Sequence, residues 1–397
     1  MEVWVTGLGG LCAAGRNIEE IWASLLAGRR AGPKPPARLL ALTEFRNLEG
    51  LGHPAFSLPD DCFPEGFRHS ARDSLDLAEA AGREALAQAG IAAAELAEGG
   101  GLIMGGTAGN ALHFLKDYDA LRRGAVSPGQ GFVDFFEHNP AEGLARRWGL
   151  RLPTWTVGNA CCSGADAVGL GLSLIRSGRF KRVLAGGADA LSLTPYVGFR
   201  RLMIYSDEPC RPFDGRRQGL NLGEGAGALM LESADSAGAR GARPLARLLA
   251  YAAASDAHHL TAPHPEARGL RRAIAAALGQ AAVRPAELAF VKAHGTATRD
   301  NDRTEALAVN QEIPGTPLWA LKGSTGHTLG AAGALETALG VTALNRGRLP
   351  ASQGFQEADP ELKLAPSGPL ESLKGSAALC LSLGFGGGNS ALLLGRA

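Results

Sequence analysis

Four short segments of this 397-residue chain set reactive side chains beside glycines where a strand gives way to a turn. The first, Asn159-Ala160-Cys161-Cys162-Ser163-Gly164, lies between an apolar strand and a Gly/Ala-rich helix. A cysteine there faces the helix N-terminus, whose free N–H groups and dipole favour thiolate, the attacking form of sulfur. Cys161 is therefore the candidate nucleophile, although small residues at such a turn serve close packing as readily as chemistry. Cys162, directed into the helix packing, reads as a small hydrophobe. The second segment, Phe290 to Thr298, is a strand ending in His294 and then Gly-Thr-x-Thr, the end of a strand where α/β proteins place ligands. Asp302 and Glu305 follow at a spacing that turns them back toward the same pocket. The third, Lys322 to Gly333, carries His327, and the fourth, Ser382 to Asn389, is a glycine-rich loop able to offer backbone N–H groups to an oxyanion.

The elements that must position these turns alternate in type. Short apolar strands at Val3–Thr6, Leu102–Met104, Thr154–Val157, Val183–Ala185 and Ala228–Leu231 are matched in the second half by Leu245–Ala250, Phe290–Ala293, Leu318–Leu321, Ala378–Ser382 and Ala391–Leu394. Interleaved with helices, they give an α/β protein built as two copies of one unit. The copies echo each other: Leu174 to Arg179 and Ala343 to Arg348 both close a helix with glycine just past its end. The helices Ala165–Ile175 and Gly330–Val341 have almost no polar face and so must be buried on all sides, between two sheets. The repeat makes the Cys161 and His327 turns counterparts, which brings the two side chains together. The joint is expected at Ser233–Pro244, and the stretches 30–75 and 107–150, without regular strands, are expected to cap one end.

Composition narrows the function. Lys and Arg total 40 against 39 Asp and Glu, a net charge of +1, so no bulk electrostatic case exists for binding nucleic acid. Six cysteines, none in a C-x-x-C pair, point to a reduced, cytoplasmic protein. The acidic, strand-like N-terminus does not resemble a signal peptide, and the uncharged stretch from Gly375 to Gly395 reads as strand, turn, strand, with no membrane insertion.

With these motifs in order, the whole chain closely resembles the elongating β-ketoacyl-acyl carrier protein synthases, condensing enzymes of the thiolase superfamily. The family's T-A-C-x-S-G is matched by Asn159 to Gly164, its H-G-T-x-T by His294 to Thr298, and its K-S-x-x-G-H-x-x-G-A-A-G by Lys322 to Gly333. Pro212-Phe213-Asp214, Gly223 to Gly227 and Asp256 to Thr261 match further segments. The resemblance implies a thiolase-like fold: two pseudo-symmetric βαβαβαββ halves forming a layered α/β/α/β/α core, residues 1–235 carrying the nucleophile and 245–397 both histidines. It implies Cys161 as acyl acceptor, with His294 and His327 stabilising an enolate. Lys322 and Glu305 would fix the charge and orientation of the histidines, and the N–H groups of Cys161 and Phe385 would form the oxyanion hole. Thr296 and Thr298 would hold a phosphopantetheine arm. No prosthetic group is implied, since acyl and malonyl groups arrive on the phosphopantetheine of acyl carrier protein.

Departures from the family pattern bear on the substrate. Leu383 stands where many relatives carry a gating Phe, Leu220 where R-x-G-F ends in Phe, Asn159 where Thr precedes the nucleophile, and Ala108 at an often larger position lining the acyl pocket. Leu383 and Ala108 both enlarge the pocket, which predicts a longer or more rigid acyl chain. For an acidic carrier protein, Arg68, Arg72, Arg200 and Arg201 are the candidate docking residues. A thiolase would be expected to carry a second cysteine in the C-terminal glycine loop, where this chain has Phe385. A chain-initiating enzyme would have Asn for one histidine, and a chain-length factor would lack the nucleophile. Fatty-acid and polyketide elongation stay open, as do a homodimer and a heterodimer with a cysteine-less chain-length-factor subunit.

Overall fold

A computed structural model describes residues 1–30, 53–58, 74–107, 123–125 and 139–397. Among the described residues there are ten strands: β1 (Val3–Cys12), β2 (Gly100–Gly105), β3 (Thr154–Val157), β4 (Arg182–Asp189), β5 (Gly225–Ser233), β6 (Ala246–Ser255), β7 (Leu288–Lys292), β8 (Leu318–Trp319), β9 (Ala377–Gly384) and β10 (Gly388–Gly395). Each overlaps a strand expected from the apolar runs. β2, β4, β5, β7, β9 and β10 are buried almost throughout, which is why they read as continuous apolar runs and not as alternating ones.

The strand order is β3-β2-β4-β5-β1-β6-β10-β9-β7-β8. Counted within each group of five from its outer edge, both halves run third, second, fourth, fifth, first, so the internal repeat extends to strand order and direction. In each half the outer three strands pair in parallel and the inner pairs are antiparallel. One expectation is corrected here. The two sheets are not separate, because β1 pairs β6 at Trp4–Arg247 and Val5–Ala246 and makes them one ten-stranded sheet.

The helices that matter for the site are α1 (Ile18–Leu26), α2 (Ser74–Ala89), α3 (Pro140–Arg147), α4 (Ser163–Arg176), α5 (Leu193–Arg201), α6 (Arg268–Ala281), α7 (Arg299–Glu312) and α8 (Ala332–Arg346). α4 and α8 pack on each other and on strands of both halves, so the sheet folds around them. α2 covers β1, β4 and β5 on one outside, while α6 covers β6 and β10 on the other with α7 against it. The layers are thus α/β/α/β/α. Glycine makes the central crossing possible: a Cβ on Gly333 would lie 2.4 Å from the Ala165 nitrogen, and one on Gly164 2.7 Å from the Gly330 oxygen. Two helices that approach at their first turns bring their preceding loops together, and those loops carry Cys161 and His327. Both central helices are closed as expected by a left-handed glycine, Gly178 and Gly347.

The joint at 233–244 contains a short helix, Ala234–Ala239, capped by Ser233. The stretches 30–75 and 107–150 lie mostly outside the described residues, as do Ala108, Arg68 and Arg72. Within them, α3 is a regular element packed on β3.

Candidate active site

The Cys161 turn rises from β3 and enters α4 through Cys162, with Ala160 forced into the left-handed region at φ 44°. A non-glycine residue held there costs free energy and persists only where the surroundings over-determine it. The surroundings are Asn159, whose amide donates to Asp166 at 2.6 Å, and Ser163, whose hydroxyl accepts from the Asn159 N–H at 2.8 Å. Asp166 in turn accepts from Tyr251 at 2.8 Å and from Ser390. The departure at Asn159 is therefore a peg that ties the nucleophile turn to its own helix. Cys162 is fully buried, with its sulfur 3.4 Å from the Ser382 and Gly388 carbonyls, as its packing role required.

Cys161 is 5% exposed, and its sulfur lies 3.0 Å from His327 Nε2. The N–H groups of Phe385 and of Cys161 itself reach the same sulfur. That is the pair expected to hold an oxyanion. The glycine loop can come this close because Gly384 has no side chain: a Cβ there would lie 3.3 Å from the Cys161 nitrogen and from Cys162 Sγ. The expected resting thiolate is not what the site favours. Burial pushes the Cys161 thiol up to about 12, against the opposing pull of Lys322 and the two N–H groups. The helix terminus thus acts on charge that develops during reaction, beyond what it does for the resting sulfur.

His294 follows β7 by two residues and meets His327 edge to face, ring centres 5.1 Å apart. Their tautomers follow from their partners. Lys322 Nζ lies 3.3 Å from His294 Nδ1, and an ammonium only donates, so Nδ1 carries the lone pair and Nε2 the proton. Among the described residues His327 Nδ1 is buried with no hydrogen-bond partner, and a bare lone pair is cheaper to bury there than an orphaned N–H. Both rings then offer Nε2–H. Burial, followed by the charge of Lys322, holds each pKa well below the usual imidazole value, so both rings are neutral.

Glu305 is fully buried and accepts from the backbone N–H groups of His294 and Gly295, the latter at 2.8 Å. It fixes the turn that carries His294 and does not bond the ring. Burial raises its pKa to about 7. Asp302 holds the same loop from the Phe213 and Ala297 N–H groups at 2.7 and 3.1 Å. The carboxylate hydrogen-bonded to Lys322 is a different one, Glu336 on α8, at 2.7 Å. Its other oxygen accepts from Lys292 of β7. Sequence reasoning missed Glu336 and Lys292. The available signal was a single acid inside a helix otherwise too apolar for any exposed face, and a single lysine inside an apolar strand.

A cavity of about 480 Å³ opens onto Cys161, His294 and His327 and is also lined by Thr296, Thr298, Leu220 and Leu383. The two threonine hydroxyls lie 2.9 Å apart. Phe199 of α5, also missed, stacks on Phe385 at 5.2 Å between ring centres and stands over His327. Of the docking candidates within the described residues, Arg200 is half-buried and Arg201 exposed, both in the last turn of α5. Among the described residues no cluster of acids, cysteines and histidines suits a metal, and no helix is long and apolar enough to cross a membrane.

Residues 1–237 match the β-ketoacyl synthase N-terminal domain family, and residues 245–356 match its C-terminal domain family. The chain is a β-ketoacyl synthase. As such it is an acyltransferase of the condensing class, with the thiolase-like fold. It is 32% identical to a 3-oxoacyl-[acyl-carrier-protein] synthase 2 of Synechocystis, over 98% of this chain and 97% of that one. It is also 32% identical to the tetracenomycin polyketide synthase ketoacyl synthase alpha subunit of Streptomyces glaucescens, over 100% and 97%. Among solved structures, the ishigamide ketosynthase/chain length factor superposes with a TM-score of 0.87 at 34% identity, covering 100% of this synthase and 99% of that chain.

Proposed function

We propose that this synthase elongates acyl chains by decarboxylative condensation, with Cys161 as acyl acceptor and His294 and His327 as the enolate-stabilising pair. The observation that carries this reading is one sulfur with two neighbours: His327 Nε2 at 3.0 Å and the Phe385 N–H. The Cys161 sulfur attacks the thioester of an acyl carrier protein, and its proton leaves on the departing phosphopantetheine thiol. The tetrahedral oxyanion is held by the Cys161 and Phe385 N–H groups. Malonyl carrier protein then enters, with Thr296 and Thr298 hydrogen-bonded to its pantetheine arm. Loss of CO2 leaves an enolate whose oxygen accepts from both Nε2–H groups, and its carbon attacks the acyl-cysteine. The tetrahedral adduct expels the cysteine sulfur as thiolate, which takes a proton from water to regain the resting thiol, and a 3-ketoacyl thioester is released. Neutral donors suit this step, because their hydrogen bonds strengthen as charge develops on the oxygen.

In this reading residues 1–235 form the half that supplies the nucleophile and 245–397 the half that supplies the histidines, in a cytoplasmic enzyme. Arg200 and Arg201 dock the acidic carrier protein, and Leu383 sets a roomy acyl pocket. The resemblance to an ishigamide ketosynthase/chain length factor supports a second arrangement, in which a cysteine-less homologue completes the dimer.

Incubation with acyl-carrier protein tests the nucleophile. A mass increment should appear on the peptide containing Cys161 and vanish in Cys161→Ala; acylation of Cys162 in that variant overturns the assignment. His294→Ala and His327→Ala should each lower malonyl decarboxylation by about 10²- to 10³-fold while acyl transfer partly survives.

A further inference from the structure

The catalytic pair rests on a charge cluster that the sequence did not reveal. Glu336, 1% exposed, gives one oxygen to Lys322 at 2.7 Å and the other to Lys292, which is wholly buried. Lys292 also donates to the Leu381 carbonyl at 2.6 Å, and Lys322 to the His294 carbonyl at 2.5 Å. Lys322 Nζ reaches His294 Nδ1, whereas Lys292 Nζ is spent on a carboxylate and a carbonyl. Lys292 does not line the cavity. One lysine neutralises Glu336, so the second leaves the cluster with a net positive charge beneath the two imidazoles. Burying an ammonium is costly, and a second one on an already paired carboxylate adds little to folding.

We infer that Lys292 is a positioning residue for condensation: through Glu336 and Lys322 it keeps His294 and His327 neutral and sets the acid limit of malonyl decarboxylation. This deepens the function proposed above and rests on it. The charged and titratable groups around the imidazoles are consistent with the assignment. Cys161 faces them from the α4 turn as a thiol, Asp189 comes from β4, and Cys162 and Cys380 are buried thiols near Lys292. Asp189 is occupied by the Thr107 and Gly330 N–H groups. Glu305 of α7, with Asp302 beside it, loses its charge below about pH 7. In the acid range, then, the carboxylate hydrogen-bonded to the two lysines, Glu336, is the one that offsets them.

The test is the pH dependence of malonyl carrier protein decarboxylation by the full-length protein, with Lys292→Met removing the charge at similar volume. Lys292→Gln keeps a donor for Leu381 and serves if the methionine variant does not fold. In either, the acid limb should move up by about one pH unit, the scale of one charge removed nearby at an effective dielectric of about 20. On that limb, at a pH below the titration of both forms, this is roughly a tenfold loss relative to the parent at the same pH. Carbon-13 NMR of histidine-labelled protein should show the two buried imidazoles titrating higher by the same amount. An acid limb and titrations that coincide with the parent's overturn the role. If the parent itself fails to decarboxylate malonyl carrier protein, the proposed function falls, and the NMR titration alone decides the electrostatic effect of Lys292.

Discussion

α4 and α8 are repeat-related helices that cross at their first turns, and each carries one acid near its start. The two acids live differently. Asp166 of α4 is bonded to neutral donors, Asn159, Tyr251 and Ser390, and serves to hold the nucleophile turn in shape. Glu336 of α8 is bonded to two lysines and leaves a surplus positive charge beside the histidines. The register that matches Gly178 to Gly347 sets Asp166 against Leu335, so the two acids hold adjacent and not equivalent positions, one a mechanical anchor and the other an electrostatic one. The reason lies in what each neighbour must do. A sulfur that becomes acylated needs a fixed backbone, whereas imidazoles that must stay neutral need nearby cations.

The contrast is broken most severely by removing Glu336. Glu336→Ala strands two buried ammonium groups and should cost about 3–5 kcal/mol in urea unfolding. Gly333→Ala drives a methyl toward the Ala165 backbone and should cost about 2–3 kcal/mol. Gly164→Ala, whose nearest obstruction is 2.7 Å away and not 2.4 Å, should cost less, so the reverse ranking would contradict the crossing geometry. Asp166→Asn replaces an anionic acceptor among neutral donors and should cost about 1–2 kcal/mol. A loss as large as that of Glu336→Ala would mean that the two acids do the same work.

The mildest effect is one of slope. Burial raises the Glu305 pKa from 4.5 to about 7, so between those values the folded protein holds a proton that the unfolded chain has released. Its contribution to stability is therefore full below pH 4.5 and declines as pH rises to about 7. Glu305→Gln should make the fall of stability across that window shallower, read from melting temperatures at successive pH values. A steeper fall would contradict the sign.

The sequence by itself determined a large part of this protein. Ten apolar runs became ten strands, because a strand buried on both faces leaves an unbroken apolar record in one dimension. The left-handed glycines after α4 and α8 were legible because few other residues tolerate that backbone. Cys161, His294 and His327 stood out because their motifs occur together and in the order of the family pattern, where each alone would be ambiguous. Tertiary structure alone decided the rest. Lys292 and Glu336 lie 44 residues apart, and nothing local to either names its partner. The Cys161 thiol is governed by burial, which depends on everything packed around it, so reasoning from one helix terminus misjudged its resting state. Whether two sheets meet edge to edge rested on two residue pairs between β1 and β6, a contact that no pattern in either strand encodes.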